Sequence, residues 1–191
     1  MNYLKKMKII SDIFECLFYK RVYKWRKKFR NCVVQYPIRY FDGEQHITAD
    51  ENLFLQKYIF LAAFSTYGGK KYHPQICFGK NVYINFNCQI TATNNIIISD
   101  DVLIGSNVTI TDHLHGNPNC IDKSPPKQRE LYSKGDIFIG NKCLIGSGAV
   151  ILPGVTLGEG CIIGANAVIT KSFPPHTVIA GNPAIALKSL K

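Results

Sequence analysis

The chain has 191 residues, of which 46% are hydrophobic and 19% charged, with a formal net charge of +10. That length suits one well-buried domain with room for an appendage, and the composition excludes wholesale disorder. Seven cysteines without a CxxC pair argue for reduced thiols in the cytoplasm and against a secreted disulfide framework or a zinc site.

The excess charge is concentrated at one end. Residues 1–30 hold ten Lys or Arg against Asp12 and Glu15, a local charge of +8. Ile9, Ile10, Ile13, Phe14, Leu17 and Phe18 are spaced as on an amphipathic helix, and the basic run Lys20, Arg21, Lys24, Arg26, Lys27, Lys28 and Arg30 follows. Residues 1–35 are therefore read as a basic, helical N-terminal segment. Such a segment either packs its apolar stripe on its own domain or a neighbouring subunit, or adsorbs to anionic lipid, where each basic side chain contributes about 1 kcal/mol. Packing is the commoner use of an amphipathic helix. Ser11, Asp12 and Glu15 interrupt the apolar portion, which falls short of the roughly 20 residues that cross a bilayer, and no cleaved signal peptide is expected.

Beyond this segment, Tyr36 to Phe64 is hydrophobic without a clear phase and predicts irregular opening coils. A six-residue rhythm then sets in at Phe78, Ile84 and Ile90, with Val82 and Cys88 at a smaller position between them. Asn94 and Asn95 add two residues, after which Ile98, Ile104 and Ile110 restore the count. From Ile139 the rhythm runs through Ile145, Ile151, Leu157, Ile163 and Ile169, with Cys143, Ala149, Val155, Cys161 and Ala167 four positions after each and Phe173 ending the series. Neither a continuous helix nor a meander has this period. Very short strands joined by tight turns and wound into a parallel β-helix do, with an aliphatic residue inside each flat face and Gly, Asn or Asp at corners that need φ > 0.

Between Ile110 and Ile139 the rhythm stops. Residues 111–138 leave the stack as a loop that opens with Thr111, Asp112, His113, Leu114 and His115. A long excursion from a compact repeat is more often functional than accidental, and histidine is the side chain best matched to base chemistry near neutral pH.

The repeat, with "NFN" at 85–87, "IGSNVTI" at 104–110, "IGSGAVILPGVTLG" at 145–158 and the ending "ITKSFPPHTVIAGNPA" at 169–184, resembles the hexapeptide-repeat acyltransferases. The likeness is greatest to the branch of maltose, galactoside and nodulation-sugar O-acetyltransferases, and it covers roughly residues 76–187. It implies an all-β fold, a left-handed parallel β-helix over 36–187 with the loop 111–138 inserted between coils and a closing segment over 169–191. With three hexapeptides per coil, Cys143 and Cys161 stack as small core residues.

The same resemblance implies a homotrimer that takes an acetyl group from acetyl-CoA, needs no metal, and delivers it to a saccharide hydroxyl by direct attack assisted by a histidine base. Counting without gaps from Asn85 brings the family's histidine onto His115, whereas an alignment that tolerates a shorter loop selects His113; the ungapped count is preferred, with His113 and Asp112 orienting the ring or shaping the loop mouth. Acceptor contacts are expected from Asn85, Tyr83 and Asp112, and coenzyme A contacts from Ser147, Ala165, Thr170 and Lys171. Two departures stand out. Leu144 replaces an aromatic residue before "IGS", and Ile185 replaces a basic one after "GNPA", leaving Lys188 to meet the nucleotide phosphates. Because the N-terminus differs from the helical acceptor domain of the sugar enzymes, a cell-envelope saccharide such as O-antigen or capsule is the expected acceptor, handled in the cytoplasm or at the inner face of the membrane. The alternatives are an N-acetyltransferase acting on an amino sugar or antibiotic and a metal-dependent β-helix of the γ-carbonic anhydrase type. Nucleic acid is not an expected partner, since no basic-aromatic motif accompanies the charge.

Overall fold

In a computed structural model the described residues are 17–190, so most of the helix expected over Ile9–Phe18 lies outside them. The described chain begins in helix, over 17–26. Val22 and Trp25 are buried and Phe18 and Phe29 pack beside them, a stripe at helical spacing, while Lys20, Lys24, Lys27 and Lys28 are exposed. This part of the basic segment packs its apolar face on its own domain.

The rest is a stack of triangular coils. One face runs through Val33–Val34, Phe54–Leu55, Tyr83–Ile84, Leu103–Ile104, Leu144–Ile145, Ile162–Ile163 and Thr177–Gly181. A second runs through Tyr40–Asp42, Phe60–Ala63, Gln89–Ala92, Thr109–Thr111, Val150–Ile151 and Val168–Ile169. The third holds Ile47–Ala49, Gln75–Phe78, Asn95–Ile98, Ile137–Ile139 and Thr156–Leu157. All neighbours on these faces pair in parallel, and the register stacks like on like: Ile84 on Ile104, then Ile145, then Ile163, and Ile90 on Ile110, Ile151 and Ile169. These isoleucines are almost completely buried, each contributing about 1.5–3 kcal/mol. The architecture is the left-handed parallel β-helix. It begins at Val33, and the stretch expected to be irregular holds four of the strands of the first two coils.

The corners follow turn chemistry. Asn52, Asn81, Asp101 and Lys142 occupy one edge and Asn87, Asn107 and Asn166 another, all at φ between 56 and 63°, the left-handed region that Asn and Asp tolerate best among residues with a side chain. Along the first edge the amides join hands: Asn31 donates to Asn52 at 3.0 Å, Asn52 to Asn81 at 2.8 Å, and Asn81 to Asp101 at 2.8 Å. Cys143 and Cys161 sit on this edge as buried free thiols one coil apart, each donating to a turn carbonyl at 3.2 Å.

Both ends of the stack are covered. Trp25, 1% exposed, lies over the first coil with its ring 5.2 Å from that of Phe41, and its Nε1–H donates to the Ile47 carbonyl at 3.0 Å. Arg21 fastens the helix through Asp42 and Glu44. At the other end Ala184–Ser189 turns back antiparallel on Thr177–Gly181.

Two insertions leave the same corner, between the second and third faces. The second in chain order departs after Thr111 and re-enters at Ile137, carrying a small antiparallel ladder of Leu114–His115 with Leu131–Tyr132. The first, between Ala63 and Gln75, is a hairpin of Thr66–Tyr67 with Lys70–Lys71 that interrupts the coils where the six-residue rhythm gives no sign of it.

Candidate active site

Where the chain leaves the second face, Asp112 turns inward and is completely buried. Its carboxylate accepts hydrogen bonds from the Thr93 amide at 2.8 Å, the Thr93 hydroxyl at 3.2 Å and the Asn94 amide at 2.7 Å. The corner of the preceding coil thus fixes it in place. The same carboxylate lies 2.9 Å from Nδ1 of His113, whose side chain keeps 9% exposure. A buried, backbone-anchored carboxylate beside Nδ1 selects the tautomer that carries its proton there, leaving Nε2 as the unprotonated, base-competent nitrogen. The ring is also held edge-on by Phe64, 6.0 Å away.

His115 is placed differently. It lies on the loop ladder opposite Leu131 and is exposed. Its ring meets Tyr67 of the hairpin at 5.3 Å, and no carboxylate contact is found for it among the described residues. The intervening Leu114 faces the other way, into a groove of about 340 Å³ lined with Pro118, Asn119, Tyr132, Lys134, Leu152, Pro153 and Thr170. The loop therefore has two sides, with the histidines toward the early coils and the groove toward the late ones.

One expectation is corrected outright: Asp112 cannot contact an acceptor, because it is fully buried and its oxygens are committed to Thr93, Asn94 and His113. Tyr83 and Asn85 stand together at the corner between the first and second faces, whereas His113 stands at the corner between the second and third. The width of the second face separates them within one chain. There Gln56 donates to the Tyr83 hydroxyl at 2.9 Å and to the Asn85 amide oxygen at 3.0 Å, while Asn85 donates to the Ile104 carbonyl at 2.9 Å. Ser147 and Ala165 stack at that same corner in later coils, and Ser147 Oγ accepts from the Ser106 amide at 3.2 Å. Thr170 and Lys171 instead follow Val168–Ile169 at the groove. Lys188 is exposed on the closing hairpin, across from Val178. Leu144, 42% exposed, and Ile185, 56% exposed, occupy the two positions at which the sequence resemblance implied an aromatic and a basic residue. Phe64 and Tyr67, which touch the two histidines, were not among the expected site residues; "YGG" at 67–69, a two-glycine turn, was the available sign of the element that carries Tyr67.

Within one chain no group of three His, Cys, Asp or Glu side chains converges as a metal site among the described residues. The described fold is thus a parallel β-helix with an Asp–His pair at the mouth of an inserted loop. Residues 136–171 match the family model for the bacterial transferase hexapeptide, six repeats. The chain is 34% identical over 166 residues to a putative lipopolysaccharide biosynthesis O-acetyl transferase, WbbJ, of Escherichia coli K12, covering 84% of this chain and 80% of that one. It is 35% identical over 147 residues to galactoside O-acetyltransferase of the same organism, covering 77% of this chain and 66% of that one, so it spans just under two thirds of that relative. A solved galactoside acetyltransferase in complex with coenzyme A superposes with a TM-score of 0.59 at 29% identity, over 91% of this chain and 72% of that one. The chain belongs to the hexapeptide-repeat acetyltransferase family.

Proposed function

We propose that this protein transfers an acetyl group from acetyl-CoA to a hydroxyl of a saccharide, with His113 as the general base. One observation carries the assignment of the base: the buried Asp112 carboxylate holds Nδ1 of His113 at 2.9 Å, leaving Nε2 free at the mouth of the loop. Nε2 takes the proton of the acceptor hydroxyl as its oxygen attacks the thioester carbonyl carbon. Collapse of the tetrahedral intermediate breaks the carbon–sulfur bond, and the imidazolium returns the proton to the departing thiolate, so no covalent enzyme intermediate forms. His115, the choice of the ungapped count, is assigned to the loop wall.

The relatives named as galactoside and lipopolysaccharide O-acetyl transferases support a carbohydrate hydroxyl as acceptor, and the likeness to the latter favours a cell-envelope sugar, carried on lipid at the inner face of the membrane. No described helix is long and apolar enough to cross a membrane. The bound coenzyme A of the galactoside acetyltransferase supports the donor. For this chain we assign its contacts to Ser147 and Ala165 at one corner, Thr170 and Lys171 beside the groove, and Lys188. Since these two corners, and likewise Asn85 and His113, lie at opposite ends of the second face, a complete site needs two chains. That supports a homotrimer with a cleft at each boundary.

The test is thiol release from acetyl-CoA by purified protein offered envelope saccharides and matched amino sugars. His113→Ala should lower kcat by roughly 10²–10⁴-fold, the usual worth of general-base assistance, with His115→Ala affecting it less. The reverse ranking would overturn the assignment of the base, and transfer to the amino sugar alone would make the protein an N-acetyltransferase.

A further inference from the structure

The hairpin at 66–71 springs from the second coil, yet every polar contact it makes with the inserted loop skips over the third. The Tyr67 hydroxyl donates to the Lys127 carbonyl at 2.8 Å, and Lys70 Nζ reaches Glu130 at 2.6 Å. Just past the hairpin, the Tyr72 hydroxyl accepts from the Leu131 amide at 2.9 Å. Leu131 is the ladder partner of His115, so this bond grips the strand opposite the histidine. The aromatic contacts of Tyr67 with His115 and Phe64 with His113 complete the join. A hairpin of two-residue strands has little stability of its own, and a 25-residue loop has little reason to hold one shape; each supplies what the other lacks.

We infer that the hairpin is a brace for the base-bearing loop and a determinant of acceptor recognition, with Tyr67 and Tyr72 as positioning residues. This rests on the reading of His113 as base. The direction follows from the order of coils along the stack. The groove lined by Leu114, Tyr132, Leu152 and Thr170 opens toward the late coils, where the donor contacts are assigned. The hairpin stands on the opposite side of His113, toward the early coils, and walls the side left for the saccharide. Displacing an imidazole by about 1 Å costs on the order of a hundredfold in rate, so a brace of this kind acts mainly on turnover of the acceptor, and donor affinity, which also rests on Leu152, Pro153 and Thr170 of the stack, changes less.

The experiment compares Tyr67→Ala, Tyr67→Phe and Tyr72→Phe with the parent, reading steady-state kinetics against each substrate and hydrogen exchange over residues 112–136, with His113→Ala alongside. Tyr67→Ala should lower kcat/KM for the saccharide by roughly tenfold or more and leave KM for acetyl-CoA within about twofold. Tyr67→Phe, which keeps the ring against His115, should lie between, and Tyr72→Phe should speed exchange of the Leu131 amide. Unchanged loop exchange with unchanged acceptor kinetics overturns the brace, as does a rise in KM that is equal for both substrates. If His113→Ala stays active, the base assignment falls by itself, while the exchange data still decide whether the hairpin holds the loop.

Discussion

Replacing Asp112 with Asn tests the centre of the proposed site, because the substitution keeps the shape and removes only charge and one acceptor. The carboxylate faces nothing but donors: two backbone amides, the Thr93 hydroxyl and Nδ1 of His113. An amide group offers one oxygen. With its nitrogen toward Asn94, an N–H that donated at 2.7 Å meets another donor. With its nitrogen toward His113, it donates to Nδ1, drives the ring proton to Nε2, and blocks the base. Either arrangement loses a charge-assisted bond and strands a buried donor, about 2–4 kcal/mol together, which lowers Tm by roughly 5–15 °C for a chain of this size. The amide also favours the wrong tautomer, so kcat should fall by roughly 10²–10⁴-fold with KM for acetyl-CoA unchanged. Thiol release gives the kinetics and scanning calorimetry the Tm. A kcat within about twofold of the parent, measured below the variant's own transition, would refute the orienting role of Asp112.

Three further outcomes are expected. Trp25→Ala uncovers the first coil and deletes the bond to Ile47, costing about 3–5 kcal/mol; a change under about 1 kcal/mol in denaturant unfolding would show that the helix is not what closes that end. Burial pushes the thiols of Cys32, Cys88 and Cys143 up to about 11. Their stabilisation is therefore complete below the unfolded value near 8.5 and is lost as pH rises toward 11, at about 1.4 kcal/mol per thiol per pH unit; the double variant Cys88→Ala, Cys143→Ala should flatten the fall in unfolding midpoint between pH 8 and 10, and an equally steep fall would contradict this. Finally, Leu17, Tyr23 and Tyr36 are 56, 46 and 36% exposed beside Lys20, Lys24, Lys27 and Lys28, a surface suited to an anionic interface. Co-sedimentation should favour vesicles containing phosphatidylglycerol over phosphatidylcholine alone, and Lys24→Glu with Lys27→Glu should abolish the preference; equal binding to both vesicles would remove the membrane from the proposed setting.

The regular coils were legible because an inward isoleucine every six residues leaves few other folds, and because the small residue four places on must fit beside it. Ile139 to Ile169 could be counted directly. The opening coils escaped the count because their inward residues Val34, Phe41, Ile47, Leu55 and Leu61 are separated by six to eight residues, and a corner absorbs the surplus without moving the faces. The proposed choice of His113 over His115 was beyond the sequence for a related reason. It depends on Asp112 being sunk into the corner of the coil below, where Thr93 and Asn94 await it, and that contact links residues some nineteen positions apart. Likewise, "NFN" pointed to Asn85 but not to the fact that a whole face divides it from the histidines.

Because each coil touches only its neighbours, disorder can enter this molecule by fraying from its tips. The Asp–His pair is tied between the third and fourth coils, far from both tips, so heat or denaturant should peel away the helix and the closing hairpin while that pair is still held in place. Loss of the Asp112–His113 contact would then trail the first spectroscopic signs of melting, and a truncated stack that kept its central turns would keep its geometry there.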